Sequence, residues 1–448
     1  MELGRALIEA GVGRAEDSFA LFARSIDPQW IQEALDAAGV ATVRRRKLPA
    51  EYVVWIVIGM GLLRDRSIQE VVRHLDLVLP GVERGSGRRT VTPGAVVQAR
   101  DRLGGKPIET LFRMTAERWA TASADIDRWR GLAVYGVDGS TLRVPDSDEN
   151  EMRFKRPKGG RGRAGYPQAR IVALMALRSH ILAGLAIGPY DEGEVTLAAS
   201  LWAKLPDCSL TILDRGFLSY GLFHQIQTSG AHRHWLSRAK KNLRWTVHQE
   251  LGPGDFLVDM PVTTKARKTH PSMPDILRVR AIRYQRKGFR PQILITSLLD
   301  AVAYPADEIA ELYHERWEIE IGFDEIKTHT LDREESLRSR RPDRVLQELW
   351  GLAIGYNLVR LEIERFAKRA GVSPRRISYR HALMLIRNFW VGAWFASPGA
   401  LPQRLESLHG EMALLILPPR RARRFPRVVK IKMSNYPLKR GPKRRRVI

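Results

Sequence analysis

Three carboxylates, Asp138, Asp214 and Glu320, carry the most informative chemistry in this chain. The first two each end an apolar run, residues 132–137 in LAVYGVDGS and residues 210–213 in SLTILDRGF, and each is followed closely by glycine. Such runs read as buried strands that deliver an acid at the tip. Taken singly, an Asp with a nearby Gly also fits a turn. Taken with Glu320, the set offers three hard oxygen donors. That is what a pair of divalent cations such as Mg²⁺ takes, while leaving positions open for water and phosphate.

Glu320 sits in YHERWEIEIGFDEIK, residues 313–327, with Pro305 upstream and Gly322 as its only breaker. Apolar residues at Leu312, Ile319, Phe323 and Ile326 predict an amphipathic helix with those four on its buried face. At about 100° per residue, Tyr313, Arg316, Glu320 and Lys327 fall within roughly 60° of one another on an adjacent stripe. One helix then presents a phenol, a guanidinium, a carboxylate and an ammonium to a single cleft. A half-exposed helix with ordinary i, i+4 pairs, such as Arg316 with Glu320, has the same pattern.

The sequence YGVDGS, then ILDRGF, then Tyr-x2-Arg-x3-Glu-x6-Lys at Tyr313, Arg316, Glu320 and Lys327 resembles the DDE transposases of bacterial insertion sequences, in the branch that carries this signature (insertion-element family four). The motifs stand in family order, and the resemblance spans most of the chain. It implies an α/β fold: a ribonuclease H-like catalytic core interrupted by an all-β insertion, with an α-helical N-terminal domain and a helical, basic C-terminal region. It also implies two Mg²⁺ ions, for which Mn²⁺ substitutes, and cleavage and rejoining of double-stranded DNA at terminal inverted repeats and in target DNA. Asp138, Asp214 and Glu320 are then the catalytic, metal-binding acids, with Asp138 shared between the ions. Tyr313, Arg316 and Lys327 hold phosphates, and a homodimer on DNA handles the two identical element ends.

The elements that must position these residues suggest boundaries of 1–125 for the helical DNA-binding domain, 126–244 and 301–395 for the two parts of the core, 245–300 for the β-rich insertion and 396–448 for a basic arm. At 448 residues, 44% apolar and 27% charged, the chain is globular and long enough for several domains. Lys and Arg number 74 against 49 acids, a net charge of +25 suited to a polyanion. One cysteine, Cys208, excludes a disulfide framework and a cysteine-ligated zinc. The N-terminus has no signal-peptide apolar core, and the most apolar run, residues 52–63, falls short of the roughly 20 residues a membrane span needs. A cytoplasmic, nucleoid-associated bacterial protein with no membrane partner is expected.

The N-terminal region reads as helical throughout, with a basic patch at Arg44, Arg45, Arg46 and Lys47. In TPGAVVQARDRLGG, Thr92 suits an N-cap, Pro93 the first helical position, and Gly104 with Gly105 the stop. Helix, turn, helix suggests a DNA reader, with Gln98, Arg100 and Arg102 as candidate contacts; a plain helical bundle fits the pattern equally. Past Asp138, TLRVP reads as a second short strand and RFKRPKGGRGRAG as a loop that either follows a DNA backbone or is simply solvated. A helix is expected to begin near Glu194.

HRHWLSRAKKNLRW reads as a strand on which Arg238 and Lys240 point to one face. In the resembled family that strand faces DNA phosphates; otherwise its lysines protect a sheet edge. Residues 245–300 alternate and carry turn signals, which predicts a separate β insertion rather than a continuation of the central fold. One relative in the resembled branch has a base-stacking tryptophan where Gln292 stands here, so the resemblance leaves the hairpin route open, with stacking by a remote aromatic such as Trp245 or Tyr284 as its form. The long apolar helix from about residue 342 is expected to pack on the sheet. Residues 420–448, with 13 Lys or Arg and no acid, read as an arm on DNA or a solubilising tail. A nuclease that cleaves without rejoining, or a DNA-binding regulator without chemistry, fits the same composition.

Overall fold

The computed structural model describes residues 25–40, 48–76, 92–159, 162–286, 290–332, 336–393 and 401–419. The basic patch at 44–47 and the C-terminal arm at 420–448 lie outside them. The chain divides into two compact units: a helical one formed by residues up to 119 together with 324–419, and an α/β one holding residues 120–323.

The α/β unit is built on a single sheet of nine strands. In chain order the strands are β1 (Ala133–Arg143), a two-residue hairpin β2 and β3 (Lys158–Gly159, Gly162–Arg163) outside the main sheet, β4 (Gln168–Ala176), β5 (Ile181–Pro189), β6 (Ser209–Leu213), β7 (Arg233–Arg238), β8 (Thr246–Gly252), β9 (Asp255–Pro261), β10 (Ile276–Tyr284) and β11 (Gln292–Thr296). The order across the sheet is β5-β4-β1-β6-β7-β11-β10-β9-β8. The first five, with β1, β4 and β5 antiparallel and β6 and β7 running parallel to β1, fit the ribonuclease H-like core.

The sheet corrects two expectations. TLRVP is no second strand, because β1 runs through Asp138 to Arg143 and pairs without interruption with β4 from Tyr135↔Ala176 to Arg143↔Gln168. Gly139 does not end the strand, since the ladder to β4 continues past it. Residues 245–300 also prolong the central sheet instead of standing apart. β11 docks antiparallel on β7, from Leu294↔Arg238 to Thr296↔Leu236, and the meander β8–β10 is added beyond it. Thr296 Oγ1 donates to Trp235 O at 2.7 Å and Trp235 N to Ser297 Oγ at 3.1 Å, securing that junction. The segment also contains a helix, Thr264–Thr269, so it is not all β. β7 is therefore interior, and edge protection cannot explain its basic residues.

Helix Tyr220–Thr228 covers β7, with Phe223 stacked on the fully buried Trp235 at 3.7 Å.

The helical unit follows its local signals closely. Asp27 caps Pro28–Ala37, and Ser67 with Glu70 form a reciprocal capping box for Ile68–Asp76. Thr92 caps Pro93–Leu103, which ends at Gly104 with φ of 67°. The long helix Pro342–Arg369 belongs to this unit and packs against Ala50–Leu62. Their contact is backbone on backbone: a Cβ on Gly61 would lie 2.8 Å from Gly351 O, and one on Gly351 would lie 2.6 Å from Val57 O. Both positions therefore require glycine.

Candidate active site

The parallel ladder between β1 and β6 ends at Val137↔Leu213. Asp138 and Asp214 are the next residues on each strand, so the two acids stand abreast on strands about 4.8 Å apart. β1 is buried up to Val137 and half-buried from Asp138 to Thr141. Asp138 Oδ1 accepts the Gly139 N–H at 2.8 Å. Asp214 caps the turn Arg215–Phe217, its Oδ2 accepting the Gly216 N–H at 3.3 Å. Asp138 is thus not at a strand tip; it becomes accessible because β6 stops beside it.

Glu320 comes from the segment that follows Ala306–Leu312. That segment is not one uniform α-helix: Tyr313–Arg316 is a 3₁₀ turn, Trp317–Asp324 is α, and Glu325–Thr330 is π. A constant 100° period therefore does not describe the stripe from Tyr313 to Lys327. Leu312, Ile319, Phe323 and Ile326 are all buried, as their spacing predicts. The back of the segment is held by the β4–β5 turn. Arg178 bridges Glu315 at 3.2 Å through two nitrogens, and His180, at a left-handed φ of 65°, meets Glu318 at 2.9 Å. With Glu315 and Glu318 engaged there, Arg316 and Glu320 face the two aspartates.

Arg316 joins the acids. Its Nη2 is 2.7 Å from Glu320 Oε1 and its Nε 3.9 Å from Asp214 Oδ1. Burial opposes its charge, but Glu320, Tyr313 and Asp214 together hold the guanidinium above its usual range. Burial raises the Asp138 carboxyl to about 6; the Gly139 N–H and Arg316 oppose the rise, and Glu194 and Glu320 add to it. Among the described residues, no three His, Cys, Asp or Glu side chains converge as they stand into a group that could hold a metal ion. The donor set nevertheless fits a hard divalent cation: three carboxylates, the half-buried Asp138 among them, with a guanidinium supplying the counter-charge.

The other candidates fall in several places. Tyr313 is 7% exposed; burial raises its phenol, with Arg316 and Arg238 pulling the other way. Arg238, the last residue of β7, donates to Gln292 Oε1 at 2.8 Å. Gln292 is thereby committed to Arg238. Lys240 lies beyond the strand, so alternation does not set its direction; its Nζ reaches Leu218 O at 3.4 Å, just past the Asp214 turn. Tyr284 meets His314 edge-on at 5.9 Å, while Trp245 is half-buried at the entrance to β8. Lys327 belongs to the helical unit and is exposed on the π-helical stretch. There Glu325 pairs with the buried Arg360 and accepts from Tyr356 OH at 2.9 Å.

Of the three proposed DNA readers, Gln98 and Arg102 are exposed and Arg100 is not. Arg100 is 2% exposed and donates to Gln347 Oε1 at 3.1 Å, Ser339 Oγ at 3.3 Å and Arg344 O at 3.2 Å. It ties Pro93–Leu103 to Pro342–Arg369, and its expected contact with DNA is withdrawn. Residues 77–91, which precede this helix, lie outside the described set. Glu194, which the sequence marks only as a helix start, also acts on Asp138, and its partner Arg170 lies 2.7 Å from it.

Among the described residues no helix is long and apolar enough to cross a membrane. Two family descriptions match the chain: "Insertion element 4 transposase N-terminal" over residues 16–113 and "Transposase DDE domain" over residues 129–358. The chain is 37% identical over 414 residues to the transposase InsG for insertion sequence element IS4 of Escherichia coli (strain K12), covering 92% of each protein. It is 38% identical over 227 residues to the putative transposase InsZ of the same strain, covering 50% of this chain and 73% of that one. A solved piggyBac transposase synaptic complex with hairpin DNA is similar at a TM-score of 0.41 and 12% identity, over 90% of this chain and 86% of that one.

Proposed function

This chain belongs to the insertion element 4 family of DDE transposases and is a DNA-cleaving transposase; from that premise we propose that it acts at the inverted-repeat ends of its element through Asp138, Asp214 and Glu320 with two Mg²⁺ ions. The observation that carries the reading is the shared end of the β1–β6 ladder, which sets two acids side by side, with Arg316 linking Asp214 to Glu320.

Asp138, Asp214 and Glu320 would hold the metal. Bound there, Mg²⁺ supplies Lewis-acid activation of water or of a 3′-hydroxyl and stabilises the leaving oxygen in an in-line displacement. Arg316 neutralises Glu320 and Asp214 until a cation takes its place, and its planar fork then suits a phosphate. Tyr313 offers its phenol beside that guanidinium. Arg238 and Lys240 give the end of β7 a positive margin for the DNA backbone, and Lys327 contributes a point charge for a phosphate. Gln98 and Arg102 are the exposed positions from which the N-terminal helices would contact the terminal repeat. Two such ends and the target are processed by a homodimer, at the nucleoid.

The test is cleavage of a labelled duplex carrying the flanking inverted repeat with Mg²⁺ or Mn²⁺, comparing the natural protein with Glu320→Gln. Cleavage at the repeat end that disappears in the variant is expected. Cleavage that survives Glu320→Gln would remove Glu320 from the site, and repeat binding with no cleavage under either metal would favour a regulator without chemistry.

A further inference from the structure

A fourth acid stands against β1. Glu194 opens the helix Glu194–Ala198 after β5, and it occupies the space that a side chain at 139 would fill: an ideal Cβ on Gly139 would come 2.4 Å from Glu194 Cδ and 2.7 Å from its Oε1. Glycine after Asp138 is what admits this carboxylate to the strand. Glu194 also bears electrostatically on Asp138 itself.

Successive residues of a strand face opposite sides, so Asp138 and Gly139 start on different faces. Asp138 nevertheless turns Oδ1 back to the Gly139 N–H at 2.8 Å. That draws its carboxylate to the margin of β1, and past Val137↔Leu213 this margin has no strand beside it. A cation at an open strand margin takes donors from both faces.

Arg170 is the present partner of Glu194. It is on β4 in register with Thr141, hence on the same face as the Gly139 gap. Its Nη1 is 2.7 Å from Glu194 Oε1, while Nε and Nη2 donate to Tyr190 O at 3.1 and 2.8 Å and the guanidinium lies over the Tyr190 ring at 5.1 Å. Three of these four contacts survive if Glu194 turns away. The carboxylate is therefore exchangeable in a way that a fully enclosed ion pair is not.

We propose that Glu194 is a fourth carboxylate of the metal centre, binding a divalent cation together with Asp138 from the Gly139 side, with Arg170 as the counter-charge that it gives up for the ion. The proposal rests on the reading of Asp138 as a metal ligand. The alternative is that Glu194 serves only to pair with Arg170, a task for which a neutral amide oxygen suffices.

The two are separated by Mn²⁺ titration of the full-length protein without DNA, followed by the paramagnetic resonance of free Mn²⁺, for the natural chain and for Glu194→Gln, Glu194→Asp, Arg170→Gln and Asp138→Asn. Glu194→Gln keeps an acceptor for Arg170 and loses only the charge, so it is expected to weaken Mn²⁺ binding about 10- to 100-fold. Glu194→Asp keeps the charge on a shorter stem and should fall between the two. Arg170→Gln frees the carboxylate and should bind Mn²⁺ at least as tightly as the natural chain. Natural affinity in both Glu194 variants overturns the proposal, as does an equal loss in Glu194→Gln and Arg170→Gln. Asp138→Asn serves as the reference: if it too binds Mn²⁺ normally, the metal reading of the site fails and takes this inference with it.

Discussion

Replacing Arg316 by Gln should move metal affinity and cleavage in opposite directions. The guanidinium lies 2.7 Å from Glu320 and 3.9 Å from Asp214, with 14% of its side chain exposed against 36% and 43% for the carboxylates. Two unit charges about 4 Å apart interact by roughly 1 kcal/mol in water and roughly 4 kcal/mol at the effective dielectric of a protein margin. Carboxylates this exposed sit toward the lower figure, so removing the charge should release about 1–2 kcal/mol to an incoming cation, or about five- to thirtyfold tighter Mn²⁺ binding. A charge-assisted hydrogen bond to phosphate is worth about 1.5–3 kcal/mol, and its loss should lower kcat/KM for repeat cleavage about 10- to 150-fold. The two readouts are Mn²⁺ titration of the DNA-free protein and single-turnover cleavage at saturating metal. Arg316→Lys, which keeps a point charge without the fork, should fall between on both. Mn²⁺ binding that weakens while cleavage stays near the natural rate would refute the reasoning, for Arg316 would then be organising the acids rather than competing for them.

Arg100→Ala should destabilise the chain by about 3–5 kcal/mol in chemical denaturation, because it strips partners from Gln347, Ser339 and the buried Glu348. A variant as stable as the natural chain but deficient in repeat binding would restore it as a DNA contact. For the exposed Arg102, Ala should leave stability unchanged and make the salt dependence of DNA binding shallower by about 0.9 in log–log slope if one phosphate contact is lost; an unaltered slope would exclude that contact. Gly351→Val places a branched side chain against Val57 O and should cost at least about 1–3 kcal/mol, read as a lowered unfolding midpoint. No shift in midpoint would mean that the two helices cross more loosely than the Gly61–Gly351 approach implies.

The parts legible in the sequence were those written in short-range pattern. Thr92-Pro93 and Gly104 marked a helix at both ends, and the apolar runs before Asp138 and Asp214 marked strands, because capping and strand burial depend on residues a few positions apart. Glu320 and Arg316 were recognisable from their spacing on one segment. The exact phase of that segment was not, since its 3₁₀ and π turns accompany distant partners such as Arg178, His180 and Arg360.

What only the tertiary structure decided is which distant segments become neighbours. Nothing local to residues 245–300 says that β11 lies against β7, since alternation suits a separate sheet as well as an added edge. Arg100 has the composition of a DNA contact and became a buried tie because Gln347 and Ser339 arrive from some 240 residues away. Gly139 reads as turn punctuation and proves to be the gap that admits Glu194 beside Asp138. Periodicity and capping are set by the chain's own backbone. Adjacency is set by the combined free energy of pairing and burial over the whole fold, and no single stretch of this sequence carries that sum.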